Sequence, residues 1–205
     1  MVLIRQKQLQ LKSKMEERFK HILHLHQQAI EKKHLLLDAR KAAVSVIINN
    51  FNKDCPEIVL IKRNEYDGHH SGQMAFPGGK MDLLDQSLTE TAIRESYEEI
   101  GIDLSEEPLT PLLPIWVKVS NFIIHPYLTI VDKKLEFEIN KREINRIFEI
   151  PLSMFRDPQS VNAHKISILG KEYWSPYFKV EGETIWGATA LILYQNIYLK
   201  DPLRI

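Results

Sequence analysis

The chain has 205 residues, and its 27 Lys and Arg balance 27 Asp and Glu to a formal net charge of +0. With 44% hydrophobic and 26% charged residues it is long enough and apolar enough for one compact domain plus an appended arm, which excludes wholesale disorder. Balanced charge supplies no global field for gripping nucleic acid or an anionic membrane, and no apolar run reaches bilayer length, so neither partner is expected.

Residues 1–41 contain neither Gly nor Pro. Met1-Val2-Leu3-Ile4-Arg5-Gln6-Lys7 lacks the long apolar stretch of a secretory signal, so the expected location is the cytoplasm. Met15, Phe19, Ile22, His26 and Ile30 recur at spacings of three and four, which puts them on one stripe of a helix. This amphipathic arm is expected to pack on the remainder of the chain, residues 42–205, or on a second copy in a homodimer. His21, His24, His26 and His34 do not gather with a further ligand on one compact face, so they read as helix surface rather than a metal site.

Ala42–Ile48 and Ile58–Lys62 are β-branched runs on either side of a turn-rich Asn49–Asp54 segment, and read as a hairpin. The single cysteine, Cys55, lies just past that turn and excludes a disulfide framework or a Cys-rich zinc site. Gln73–Phe76 reads as a short strand stopped by Pro77-Gly78-Gly79. Trp116–Val119 and Phe122–Val131 read as strands, the second placed at an edge or a bulge by Pro126. Pro151–Phe155 suits a short helix. Lys171–Val180 and Thr184–Trp186 suit a hairpin around Glu181-Gly182, and Ala188–Leu199 a terminal helix. Trp116, Trp174 and Trp186 read as core aromatics, with base stacking as the alternative. Strands and few helices without strict alternation argue an α+β fold.

The chemistry concentrates between Gly78 and Ile102. Ser87 followed by Glu90 is a capping box that starts a helix at Leu88, and Gly101 suits a left-handed cap that ends it near Ile100. At about 100° per residue, Glu95, Glu98 and Glu99 share one face, while Ala92, Ile93, Ser96 and Ile100 face a core. Glu95 and Glu99 repel at i,i+4, and Glu98 and Glu99 occupy a last turn whose dipole favours cations. A solvated acidic face is one reading. The other is a site, because Pro77-Gly78-Gly79 brings backbone carbonyls, Gly79's among them, beside three carboxylates. Hard oxygen ligands with excess negative charge suit Mg²⁺ or Mn²⁺, which would hold a polyphosphate.

Gly79, Asp85, Arg94-Glu95, Glu98-Glu99 and Gly101-Ile102 together resemble the Nudix box, a Gly–loop–helix motif of enzymes that cleave nucleoside diphosphates linked to another moiety. Asp85 stands for the usual Glu, eight residues instead of seven precede Arg94, and Ser96 takes an apolar position. Those departures resemble the coenzyme A diphosphatase subgroup. So do Arg63, Gly72 and Phe76-Pro77-Gly78-Gly79 upstream, and Ser120-Asn121-Phe122, Glu149-Ile150-Pro151-Leu152 and Trp186-Gly187-Ala188-Thr189-Ala190 downstream. Ile61, Asn64 and Gly68 depart from the subgroup's pattern; Gly68 stands where it has a second arginine.

The resemblance implies a Nudix fold over residues 42–205, with a mixed sheet between helices. It implies metal-dependent hydrolysis of coenzyme A or its acyl derivatives to 4′-phosphopantetheine, or its acyl form, and adenosine 3′,5′-bisphosphate. ADP-ribose or NADH is the alternative substrate, and a catalytically silent binding module the alternative class. Glu95, Glu98, Glu99 and Gly79 would hold Mg²⁺ or Mn²⁺. Glu98, Glu99 or Glu143 would handle the attacking water, with a plain surface Glu as the other reading of Glu143. Arg94 would orient the carboxylates through Asp85 or Glu98. Arg63, Lys80 and His70 would meet the substrate, against solvated readings for Lys80 and His70.

Overall fold

In the computed structural model, which describes residues 2–31, 38–65 and 71–199, the two long apolar runs are strands buried on both faces. Strand β1 (Arg40–Asn49) directs Val46 and Ile48 to one core, and β2 (Glu57–Arg63) adds Ile58 and Leu60 to it. Ile47, Val59 and Ile61 go to a second core on the opposite face. Burial on both faces explains why these runs are almost continuously apolar instead of alternating.

The expected hairpin is present, but β1 and β2 pair only next to its turn, at Ile48↔Ile58 and Asn49↔Glu57. Beyond that point the strands separate. Strand β3 (Met74–Ala75) fills the gap on β2, and β4 (Gly78–Lys80) fills it on β1. Pro77-Gly78-Gly79 therefore does not stop the sheet. It carries the chain from one splayed strand to the other, and the Ser45 N–H donates to the Pro77 carbonyl at 2.8 Å.

The rest of the main sheet has β8 (Ile144–Pro151) antiparallel to β2, and β7 (Phe122–Val131) parallel to β1. The short β5 (Thr110–Pro111) and β6 (Ile115–Val117) pair with the far side of β7. Pro126 is therefore neither at an open edge nor in a bulge. It lies where the neighbour of β7 changes from β6 to β5, so its missing N–H costs the ladder nothing there. A second, antiparallel sheet is formed by β9 (Val161–Ile168), β10 (Lys171–Val180) and β11 (Glu183–Ile185). Strands β8 and β9 have no counterpart among the sequence expectations. Exposed residues interrupt each of them, which leaves a weak pattern.

Helix α1 (Val2–Glu31), α3 (Leu152–Arg156), α4 (Gly187–Ile192) and the second sheet cover one face of the main sheet. Helix α2 (Leu88–Ile100) covers the other, which completes the mixed sheet between helices. The expected terminal helix is α-helical only to Ile192 and continues as a π-helical segment, Leu193–Leu199. The buried Asn196 side chain donates to the Ile192 carbonyl at 3.1 Å at that junction.

The arm closes on its own domain. Phe19 and Ile22 are fully buried, and the Phe19 ring meets Tyr194 edge-on at 4.9 Å. His26 is only 5% exposed, so the surface reading fails for this histidine while His21 and His24 are exposed as expected; His34 lies outside the described residues. Trp174 and Trp186 are likewise not core residues, at 37% and 47% exposure.

Candidate functional site

Helix α2 begins as its sequence demands. The Ser87 side chain accepts from the Glu90 N–H, and Glu90 Oε2 reaches back to the Gln86 N–H at 2.7 Å. Gly101 ends the helix with φ 73, and its N–H donates to the Tyr97 carbonyl at 2.9 Å. A Cβ there would also lie 2.7 Å from the Glu138 side chain, so both conformation and space require glycine. The helix rests on β1 through small residues. Ser96 Oγ donates to the Ala92 carbonyl and bonds Ser45 Oγ, each at 2.8 Å, which explains a serine where the box usually has an apolar residue.

Arg94 organises the acidic face. Its Nε and Nη2 grip Asp85 bidentately at 2.9 and 3.0 Å, and Nη2 also donates to the Lys80 carbonyl at 3.2 Å. Nη1 donates to Glu95 at 2.9 Å and to Glu98 at 3.0 Å. All five N–H groups of the guanidinium are thereby engaged. Its hydrogen bonds hold the Asp85 carboxyl far below the usual range, and Asp85 in turn raises the Arg94 pKa. The repulsion read from sequence is thus offset by a cation inside the same motif.

Glu99 is buried at 1% exposure beneath the glycine loop. Its Oε2 accepts the Gly78 N–H at 2.8 Å, and Oε1 meets Arg63 Nη2 at 3.2 Å. Arg63 Nη2 also donates to the Gly78 carbonyl at 2.8 Å. Burial pushes the Glu99 carboxyl up to about 7, with Arg63 and the Gly78 N–H opposing and Glu95 and Glu143 adding to the rise. Burial also raises Glu95, against Arg94. A Cβ on Gly79 would stand 2.4 Å from the Glu95 carboxylate, so the loop backbone passes directly against it.

The loop after β7 is joined to the end of this helix. Glu138 and Asn140 donate backbone N–H bonds to the Ile100 and Glu99 carbonyls at 2.9 and 3.0 Å, satisfying groups that a helix end leaves open. From β2, the Asn64 N–H donates to the Glu143 carbonyl at 2.8 Å, and its side chain to the Lys141 carbonyl at 2.9 Å. A cavity of about 500 Å³ results, lined by Arg63, Asn64, Glu65, Arg142 and Glu143.

The fold therefore brings Glu95, Glu98, Glu99, Gly79, Arg63 and Glu143 into one neighbourhood. Lys80 contributes its backbone carbonyl to Arg94 while its side chain stays exposed, and His70 lies outside the described residues. Among the described residues no three His, Cys, Asp or Glu groups converge at metal-ligand spacing. Asn64 and Asn140 were missed by sequence reading. Only Asn140 carried a local signal, as the Asx residue opening the turn Asn140–Glu143.

The NUDIX domain profile matches residues 39–168, well over half of the chain. This chain belongs to the Nudix family. Two relatives bearing the name "Uncharacterized Nudix hydrolase NudL", from Yersinia pestis (strain Pestoides F) and Yersinia pseudotuberculosis serotype O:1b (strain IP 31758), are each 36% identical to it over 158 residues. That covers 75% of this chain and 76% of either relative. Among solved structures, a MutT/nudix family protein from Enterococcus faecalis aligns with a TM-score of 0.53 and 16% identity, over 76% of this chain and 59% of that one. That likeness is one of fold. The chain is an enzyme of the Nudix hydrolase family, and its box, Gly79 to Ile102, is the β4–α2 unit just described.

Proposed function

We propose that this Nudix hydrolase cleaves the diphosphate bond of coenzyme A or an acyl-coenzyme A with Mg²⁺ or Mn²⁺. The observation that carries a metal-dependent diphosphatase is Glu99. It is a carboxylate almost without solvent, raised to about 7, beside Glu95 and under a glycine backbone that leaves no room for a Cβ. Such a group favours a cation, and a hard divalent ion suits an all-oxygen donor set. Glu95, Glu98, Glu99 and the Gly79 carbonyl would hold it. When bound, the ion supplies charge neutralisation and polarisation of a phosphoryl oxygen.

The chain's own part is positioning. Arg94 orients Glu95 and Glu98 from Asp85, and Arg63 fixes Glu99 against the loop. Glu143 lines the cavity with Arg63 and adds to the raised pKa of Glu99, which supports it, with Glu98 and Glu99 as alternatives, as acceptor of the water's proton. Water adds to one phosphorus, its proton passes to that carboxylate, and the P–O–P bond breaks toward the leaving phosphate. Arg63, Lys80 and His70 are proposed to face the substrate. Residues 1–41 are taken as a supporting arm and 42–205 as the hydrolase domain.

Coenzyme A rests on the sequence resemblance; ADP-ribose and NADH are the alternatives inside the same chemistry. Mass spectrometry of purified enzyme with Mn²⁺ or Mg²⁺ and each compound decides among them. Release of 4′-phosphopantetheine and adenosine 3′,5′-bisphosphate is expected. Faster cleavage of ADP-ribose than of coenzyme A removes the latter as specific target, and no turnover of any of them restores the binding module.

A further inference from the structure

The cations near the acidic cluster differ in how far the protein already uses them. Arg94 has all five N–H groups bonded, Arg63 holds Glu99 and the Gly78 carbonyl, and Lys62 pairs with Glu183 at 2.6 Å. Arg142 lines the 500 Å³ cavity with Arg63 and Glu143, yet among the described residues its guanidinium has no hydrogen-bond or ion-pair partner. Its backbone is nevertheless held firmly. The Arg142 N–H donates to Asn140 Oδ1 at 3.2 Å, and the turn is tied to the end of α2 through Asn140 and to β2 through Asn64. A planar fork of five donors thus stands exposed at a cavity wall near the end of α2, with no partner among the described residues.

We propose that Arg142 anchors a phosphate of the substrate, and that its target is a phosphomonoester carried in addition to the diphosphate, as on the 3′-hydroxyl of the coenzyme A ribose. This rests on the diphosphatase reading above. A monoester brings close to two negative charges toward Glu65, Glu95, Glu98, Glu99 and Glu143, so it needs a cation of its own besides whatever serves the diphosphate. Arg63 already commits Nη2 to Glu99 and the Gly78 carbonyl, so its charge is shared with a buried carboxylate, and Arg94 can supply one only by releasing the carboxylates it orients. Arg142 has no partner to release among the described residues. Guanidinium geometry also matches two phosphate oxygens at once, which a lysine at this position would not do.

The test compares wild type, Arg142→Gln and Arg142→Lys on coenzyme A and on 3′-dephospho-coenzyme A with Mn²⁺. Arg142→Gln is expected to lose about ten- to a hundredfold in kcat/KM on coenzyme A, mostly through KM, and far less on the dephospho compound. Arg142→Lys should recover part of that loss, and the melting temperatures of all three should agree because the side chain is exposed and has no partner among the described residues. Equal losses on both substrates would move the contact to the diphosphate and overturn the monoester assignment. Unchanged kinetics on both would overturn Arg142 as an anchor altogether. Calorimetric titration with adenosine 3′,5′-bisphosphate reads the residue independently of turnover. Tighter binding to wild type than to Arg142→Gln supports the proposal even if neither coenzyme is cleaved, whereas equal binding or none to wild type overturns it.

Discussion

Arg94 and Glu99 do opposite things with charge. Arg94 makes a largely shielded acidic face tolerable by binding Asp85, Glu95 and Glu98 together, while Glu99 is left only partly compensated in a buried position. A carboxyl whose folded pKa is raised from 4.5 to about 7 binds more protons folded than unfolded between those values. Stability of the metal-free protein should therefore fall as pH rises through that window, by this group's share. Glu99→Gln removes the effect. Its thermal melt should match wild type near pH 4.5 and lie no lower, and preferably higher, above pH 7, while its turnover drops by orders of magnitude. A melt well below wild type at pH 8 would contradict the strained carboxylate. Ser96 tests the packing beneath. Ser96→Ala should cost only about 1 kcal/mol, since Ser45 Oγ still reaches the Ala92 carbonyl at 3.1 Å. Ser96→Leu, the usual type of residue in the box, should cost about 1–3 kcal/mol by overpacking against Ser45. Urea titration of both variants measures the difference.

Among the elements, α1 has the clearest energetic role. Its stripe supplies Phe19 and Ile22 to the main core, so the apolar surface that suggested a partner subunit is already covered by the chain itself. Phe19→Ala should cost about 3–5 kcal/mol, and deletion of residues 1–38 more than that, read as loss of melting temperature. His26 adds a pH dependence. Burial lowers its pKa from 6.5 to about 4, and among the described residues both ring nitrogens lack partners of hydrogen-bonding geometry although the Trp116 backbone is close. Unfolded chains bind more protons than folded ones in that interval, so the stability linked to neutral His26 is complete above pH 6.5 and is lost as pH falls toward 4. The His26→Leu variant should flatten the acid limb of the stability curve between those values. An unchanged limb would show that other groups set it.

The separation of β1 and β2 is what makes a site of the whole molecule. It lets the glycine loop lie between the strands and under α2, and it leaves Arg63 at the end of β2 beside Glu99. Because a ligand of the folded state stabilises it by mass action, Mn²⁺ at about a hundred times its dissociation constant should add about 2.7 kcal/mol. Scanning calorimetry with and without a chelator measures that increment, which should shrink in Glu98→Gln and Glu99→Gln. An equal increment in both variants would place the ion elsewhere.

From its residues alone the chain determined the box helix, both of its caps, the grouping of Glu95, Glu98 and Glu99, and the arm's stripe, because each follows from spacing along one helix. The long strands were legible for the same local reason, as dense apolar runs between turn residues. Other features depend on contacts between segments far apart in the chain. That Gly78–Lys80 is a strand was decided by β1 turning away from β2. That Arg94 serves three carboxylates and Arg63 a fourth depended on which side chains the sheet and helix bring within 3.2 Å. The turn carrying Arg142 and Glu143 reaches the end of α2 from some forty residues downstream, through backbone bonds that no residue pattern encodes. Periodicity reports which face of an element is apolar; the neighbour that covers it is chosen only when the whole core packs.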